Sequence, residues 1–124
     1  MYFSKNNNFI HGVMFHHFHD DKKHFKSQGS IDKNLFYKII KHVGRENIVD
    51  PKEFSSLVKN KQYDKNKICI TFDDALKSQI DIAIPVLEEL KIKAFFFIYS
   101  DVFNFNKNNI EIIKYFRNIF FDNI

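Results

Sequence analysis

The stretch Ile68-Cys69-Ile70-Thr71-Phe72-Asp73-Asp74-Ala75 decides how the rest of this 124-residue chain is read. Five residues that favour extended backbone, bounded on both sides by charge, suit a strand buried on both faces, as parallel sheets require. The strand delivers two adjacent carboxylates, Asp73 and Asp74, at its carboxyl end. In parallel α/β architectures that end collects ligands and catalytic groups, because the βα loops there are free of packing duties. Downstream, Ile80, Ala83, Ile84, Val86, Leu87 and Leu90 recur as in a helix packed on a sheet, and Ala94-Phe95-Phe96-Phe97-Ile98-Tyr99 reads as a further strand. The order is therefore strand, acidic turn, helix, strand. Pro85 is awkward inside a helix, so a kink there, or a regular segment that starts near Asp81, is expected.

Two neighbouring Asp residues repel when both are ionised, and a bound cation or a shared proton relieves that repulsion. One carboxylate can ligate a metal ion while the other acts as general base toward a water, which is the chemistry of metal-assisted hydrolysis. The same pair equally suits the start of a loop and the cap of the next helix.

Thr71-Phe72-Asp73-Asp74-Ala75, then Ile84-Pro85-Val86-Leu87, then Ala94-Phe95-Phe96-Phe97, resembles in order and spacing the first motif of the NodB-type polysaccharide deacetylases, carbohydrate esterase family 4. Members of that family carry a T-F-D-D-G turn, a helix with a P-x-L core and a strand written A-T-F-F. Ala75 stands where the family has Gly, and Phe95 where it has Thr. Ala at a turn needing φ > 0 is strained, so a slightly different turn is expected here. The resemblance implies a distorted (β/α) barrel, of which this chain would hold an N-terminal part as one partial domain over residues 1–124. It also implies hydrolysis of N-acetyl or O-acetyl groups on a glycan or sugar precursor, with Asp73 as catalytic base and Asp74 as a ligand to Zn²⁺ or a similar divalent ion. The family's other metal ligands come from a later H-[ST]-x-x-H motif, and this chain has no His after His42. The 124 residues alone are therefore expected to be inactive, and a non-catalytic, truncated or divergent carbohydrate-binding module is the competing expectation.

The amino-terminal half adds a second candidate cluster. Residues 9–16 read as a first strand, and five of the six histidines lie between His11 and His24. His16 and His17 fall at the carboxyl end of that strand, as the Asp pair does at its own, so a parallel sheet would bring both to one rim. Met14-Phe15-His16-His17 also resembles the M-Y-H segment at the first strand of many deacetylase-like proteins. His16 and His17 are thus candidates for contacting substrate or supporting the site, while His11, His19 and His24 read as an exposed His-rich loop. Ser30 or Asp32 can cap a helix whose apolar face would be Leu35, Phe36, Ile39, Ile40 and Val43, ending at Gly44. A short extended segment at Asn47-Ile48-Val49 follows. Asp50-Pro51-Lys52-Glu53 holds the start signals of a second helix with Phe54, Leu57 and Val58 on its buried side. A last helix is expected from Ile110 to Ile124.

Composition limits the alternatives. With 44% hydrophobic and 17% aromatic residues the chain can build one core. The net charge of +4 is spread as Lys among Asp, Glu and Asn, with no Arg-rich block, which argues against a nucleic-acid partner. No apolar run reaches membrane-spanning length. Cys69 has no partner for a disulfide or a Cys-type metal cluster and reads as packing. Met1-Tyr2-Phe3-Ser4-Lys5 lacks the features of a secretory signal, so a cytoplasmic setting is expected. Three consecutive aromatics at Phe95-Phe96-Phe97 on a barrel's interrupted edge would favour self-association or a missing C-terminal half.

Overall fold

A computed structural model describes residues 10–62 and 66–98. The helix expected from Ile110 to Ile124, the end of the last strand at Tyr99 and the first nine residues lie outside these. Three parallel strands form one sheet: β1 (His11–Phe15), β2 (Ile68–Phe72) and β3 (Phe95–Phe96), with β2 in the centre. Central position explains the burial of Ile68, Cys69, Ile70 and Phe72, since β2 has a neighbour on each edge and apolar contacts on its faces. β1, at an edge, alternates between more exposed and more covered residues.

Among the described residues three α-helices accompany the sheet. Helix α1 (Lys33–Val43) starts at Asp32, whose carboxylate accepts a bond from the Leu35 N–H at 2.6 Å, and stops at Gly44, where φ is 87°. Helix α2 (Pro51–Lys59) starts as its sequence dictates: the Asp50 carboxylate accepts from the Glu53 N–H at 2.8 Å, and Pro51 occupies the first turn, where an N–H has no partner to lose. Before it, Ile48 bridges to Ile68 in parallel and the Val49 N–H bonds the Ile68 carbonyl at 2.9 Å, so the short extended segment is present. Helix α3 (Ile84–Glu89) is entered through a wide π-helical turn, Gln79–Ala83. Pro85 has no N–H to give and its ring crowds the preceding turn; the chain answers with the wide turn, closed by the Ile84 N–H on the Gln79 carbonyl. The irregularity foreseen from Pro85 thus lies just ahead of it.

Phe15 and Phe72, in register on adjacent strands, lie in the core, and the row continues to the more exposed Phe96 at the β3 edge. Phe72 and Phe96 stack at 4.7 Å between ring centroids. Phe36 of α1 meets Phe15 edge-on at 4.9 Å and Phe18 at 5.2 Å, geometries that add to simple burial. Ile40, Ile70, Ile82, Val86 and Leu87 complete this cluster. Arg45 ties the two halves: its guanidinium donates to the carbonyls of Leu90 at 3.1 Å, Lys91 at 2.7 Å and Ile48 at 3.2 Å, so the end of α3 is held against the segment before α2.

Three periodicity-based expectations are corrected. Leu35 is 44% exposed, because α1 presents Phe36 and Ile40 inward and Leu35 lies at the margin of the stripe. No residue of α2 is buried: Phe54 leans on Phe95 at 6.2 Å, Leu57 is half-covered and Val58 is exposed. Ile80 is 57% exposed, because the extra residue in the π-helical turn shifts the apolar pattern by one position and carries Gln79 inward instead. Among the described residues no helix is long and apolar enough to cross a membrane.

Candidate active site

The site follows from the register. Phe15 pairs with Phe72, so the residues that follow them, His16 and Asp73, leave the sheet side by side. The Asp73 N–H reaches the Phe15 carbonyl at 3.3 Å, and the Phe97 N–H reaches that of Phe72 at 2.8 Å, extending the ladder to the rim. The His16 Nε2 and the Asp73 Oδ2 stand 3.9 Å apart, too far for a direct hydrogen bond and close enough for one polar atom of a water or ligand to contact both. Both side chains are about one-third exposed, 38% and 33%, so solvent and ligand reach them. His17 and Asp74, each half-buried, occupy the same rim. The expectation that His16 and the Asp pair share one end of the sheet is met.

The turn departs from what Ala75 suggested. Asp74 and Ala75 have φ of 73° and 50°, so the left-handed geometry is kept with Ala in a position suited to Gly. Asp tolerates this region through its short polar side chain; for Ala it is strained by about 1–2 kcal/mol. The sharp reversal turns the chain from β2 directly into the helical segment and leaves both carboxylates on the rim.

Gln79 is the polar residue that periodicity missed. It is 1% exposed, and its side-chain amide donates to two carbonyl oxygens, that of His16 at 2.9 Å and that of Asp73 at 2.5 Å. The one sequence signal is a Gln preceding an otherwise apolar run, and it becomes meaningful only once the wide turn is known.

Two of the other histidines are engaged, and His11, expected with them on an exposed loop, instead begins β1 and is half-buried. His19, expected on an exposed loop, is 9% exposed, with Nδ1 2.9 Å from the Ser30 hydroxyl, because the loop folds back on residues 30–31 through the Phe18 and Ile31 bridge. His24 is likewise half-buried: its Nε2 lies 2.9 Å from Asp81, which also takes Lys77 at 2.9 Å. Hydrogen bonds from these two side chains hold the Asp81 carboxyl below the usual range, Lys77 having the larger effect. Asp20 accepts backbone N–H bonds from His24, Lys22 and Lys23, and these lower its pKa to about 2. Cys69, fully covered in β2, has its thiol pushed up to about 11 by burial.

A catalytic zinc site uses about three protein donors. Among the described residues no group of three or more His, Cys, Asp or Glu is gathered closely enough to hold a metal ion. These residues alone do not fit a zinc centre.

The three parallel strands and their helices match part of a deacetylase-type (β/α) barrel in fold. The polysaccharide deacetylase family model matches residues 60–117, so the resemblance read from Thr71 to Phe97 is borne out and the chain is polysaccharide deacetylase-like. Two solved structures are similar in fold. One is a de-N-acetylase from Aggregatibacter actinomycetemcomitans, with TM-score 0.56 and 16% identity over 70% of this chain. The other is the Streptococcus pyogenes deacetylase PplD in complex with acetate, with TM-score 0.54 and 20% identity over 70% of this chain. The chain spans 36% and 41% of the length of these two proteins. No curated protein matches it.

Proposed function

We propose that this chain supplies the base-bearing part of a hydrolase that removes acetyl groups from an N-acetylated glycan or sugar precursor. The observation that carries the reading is the placement of His16 and Asp73 3.9 Å apart, beside Asp74, on one rim of a deacetylase-type sheet. Asp73 takes a proton from the attacking water as its oxygen bonds to the acetyl carbon; the carbon–nitrogen bond breaks, acetate leaves and the proton passes to the amine. His16 sits where it can hold the water or a substrate oxygen against Asp73. His17 lines the same rim. Asp74 is the position that carries over a ligand for a divalent ion such as Zn²⁺, whose remaining donors the described residues do not provide.

The test supplies the chain in trans with a polypeptide carrying the H-[ST]-x-x-H segment, and measures acetate release from an N-acetylated oligosaccharide together with bound metal. Asp73→Asn should abolish release with metal retained, and Asp74→Asn should lose both. Equal loss of metal in the two variants would refute the assigned roles. Glycan binding without acetate release by the wild-type pair would favour the competing reading, a non-catalytic carbohydrate-binding module.

A further inference from the structure

We infer that Gln79 is a positioning residue for the Asp73–His16 pair, acting through the two backbone carbonyls that its amide holds. The carbonyls that accept from Gln79 Nε2 belong to the same two residues whose side chains face each other across the rim. One amide group, carrying two N–H bonds that diverge at a fixed angle, therefore sets the separation of the β1 and β2 exit loops. The β1–β2 ladder ends at Phe15 and Phe72, and just beyond it the Asp73 N–H meets the Phe15 carbonyl at a long 3.3 Å.

Position in the helical segment matters as much as chemistry. The π-helical turn Gln79–Ala83 inserts one extra residue, which brings Gln79 to the sheet while Ile80 is turned into solvent. A regular helix with the apolar pattern of this sequence would favour the reverse. Ile80 cannot bond the two carbonyls, and a partly buried carbonyl that loses its donor is destabilised. The wide turn ahead of Pro85 thus places an amide donor where the rim requires one. The left-handed Asp74 and Ala75 lie between the clamp's anchor at Asp73 and Gln79, so the strained turn is held at both ends.

This inference rests on the reading of Asp73 as base, but its test needs no turnover. In the isotopically labelled full chain, nuclear magnetic resonance should show through-bond couplings from Gln79 Nε2 to the carbonyl carbons of His16 and Asp73. The Gln79 amide protons should exchange roughly tenfold or more slowly than those of the exposed Gln62, as two retained hydrogen bonds dictate. In Gln79→Leu, the close contact between the His16 ring and the Asp73 side chain should be lost while amide protection in β1 and β2 persists. Gln79→Glu should restore that contact at low pH, where the buried carboxyl is neutral and donates one bond, and lose it as pH rises and a carboxylate faces two carbonyls. A merely space-filling side chain would not give this pH-dependent rescue. Retention of the His16–Asp73 contact in Gln79→Leu, or its loss only together with the sheet, would overturn the inference. If the clamp is found but Asp73→Asn leaves acetate release intact, the base reading fails and positioning for catalysis fails with it. If Asp73→Asn abolishes release but no couplings are seen, only the role of Gln79 falls.

Discussion

Phe36 and Leu35 are adjacent apolar residues on one helix, and the structure separates them sharply. Phe36 is 0% exposed and meets Phe15, Phe18 and Phe72 with near-perpendicular rings; Leu35 is 44% exposed. Phe36→Ala removes a fully buried ring and leaves a cavity under α1, a change of about 3–5 kcal/mol. Leu35→Ala removes a side chain that gains about half of the 1.5–3 kcal/mol of full burial, so its loss is about 1 kcal/mol. The difference, roughly 2–4 kcal/mol, corresponds to a separation of urea midpoints of about 2 M for a slope of 1–2 kcal/mol per molar. Phe36→Leu should fall between the two, since it keeps apolar volume and loses the edge-on aromatic contacts. Urea titrations of the full chain followed by circular dichroism measure all three. Equal midpoints for Phe36→Ala and Leu35→Ala, or a larger loss for Leu35→Ala, would refute the packing of α1 described above.

Acid stability should report on Asp20. Its carboxyl, ordinarily at 3.8, is lowered to about 2 in the folded chain, mainly by the backbone N–H of His24. A depressed folded pKa contributes stability that is fully present above the unfolded value and lost as pH falls through the folded one. The gap in thermal midpoint between wild type and Asp20→Ala should therefore be constant above about pH 5 and close between about pH 4 and 2; a gap that widens on acidification would contradict the capping geometry. At the strained turn after β2, Ala75→Gly relieves about 1–2 kcal/mol of left-handed strain and gives back about 0.4–1 kcal/mol through the freer unfolded chain, for a net gain of up to about 1.5 kcal/mol. A fall in thermal midpoint for this variant would show that Ala75 does not hold φ near 50° in solution.

What could be read from the sequence was whatever depends on neighbours along the chain. Asp50, Pro51 and Glu53 specify a helix start among themselves, as Asp32 and Gly44 specify the limits of α1, and the structure places both where those residues demand. The rim was legible because strand periodicity fixes where Phe72 ends and the Asp pair begins. Residues whose state depends on distant partners were not legible. His19 and His24 look alike in a polar loop, and only folding brings Ser30 to one and Asp81 to the other. Ile80 and Gln79 exchanged their expected faces because Pro85 announces an irregular helix without saying on which side the extra residue will be taken up.

Synthesis runs in one direction, and β1 is made long before anything it bonds to. Gln79 follows His16 by 63 residues, and β2 lies between them. At about 5–20 residues per second, roughly 3–13 s pass between the appearance of His16 and that of the amide that holds it. For most of that interval β1 has neither its ladder partner nor its clamp, and Phe15 and Phe18 lack the Phe72 ring that closes over them. The amino-terminal half of this fold is thus obliged to wait on the nascent chain, because an 11-residue helix such as α1 is marginal until the sheet it packs on is made.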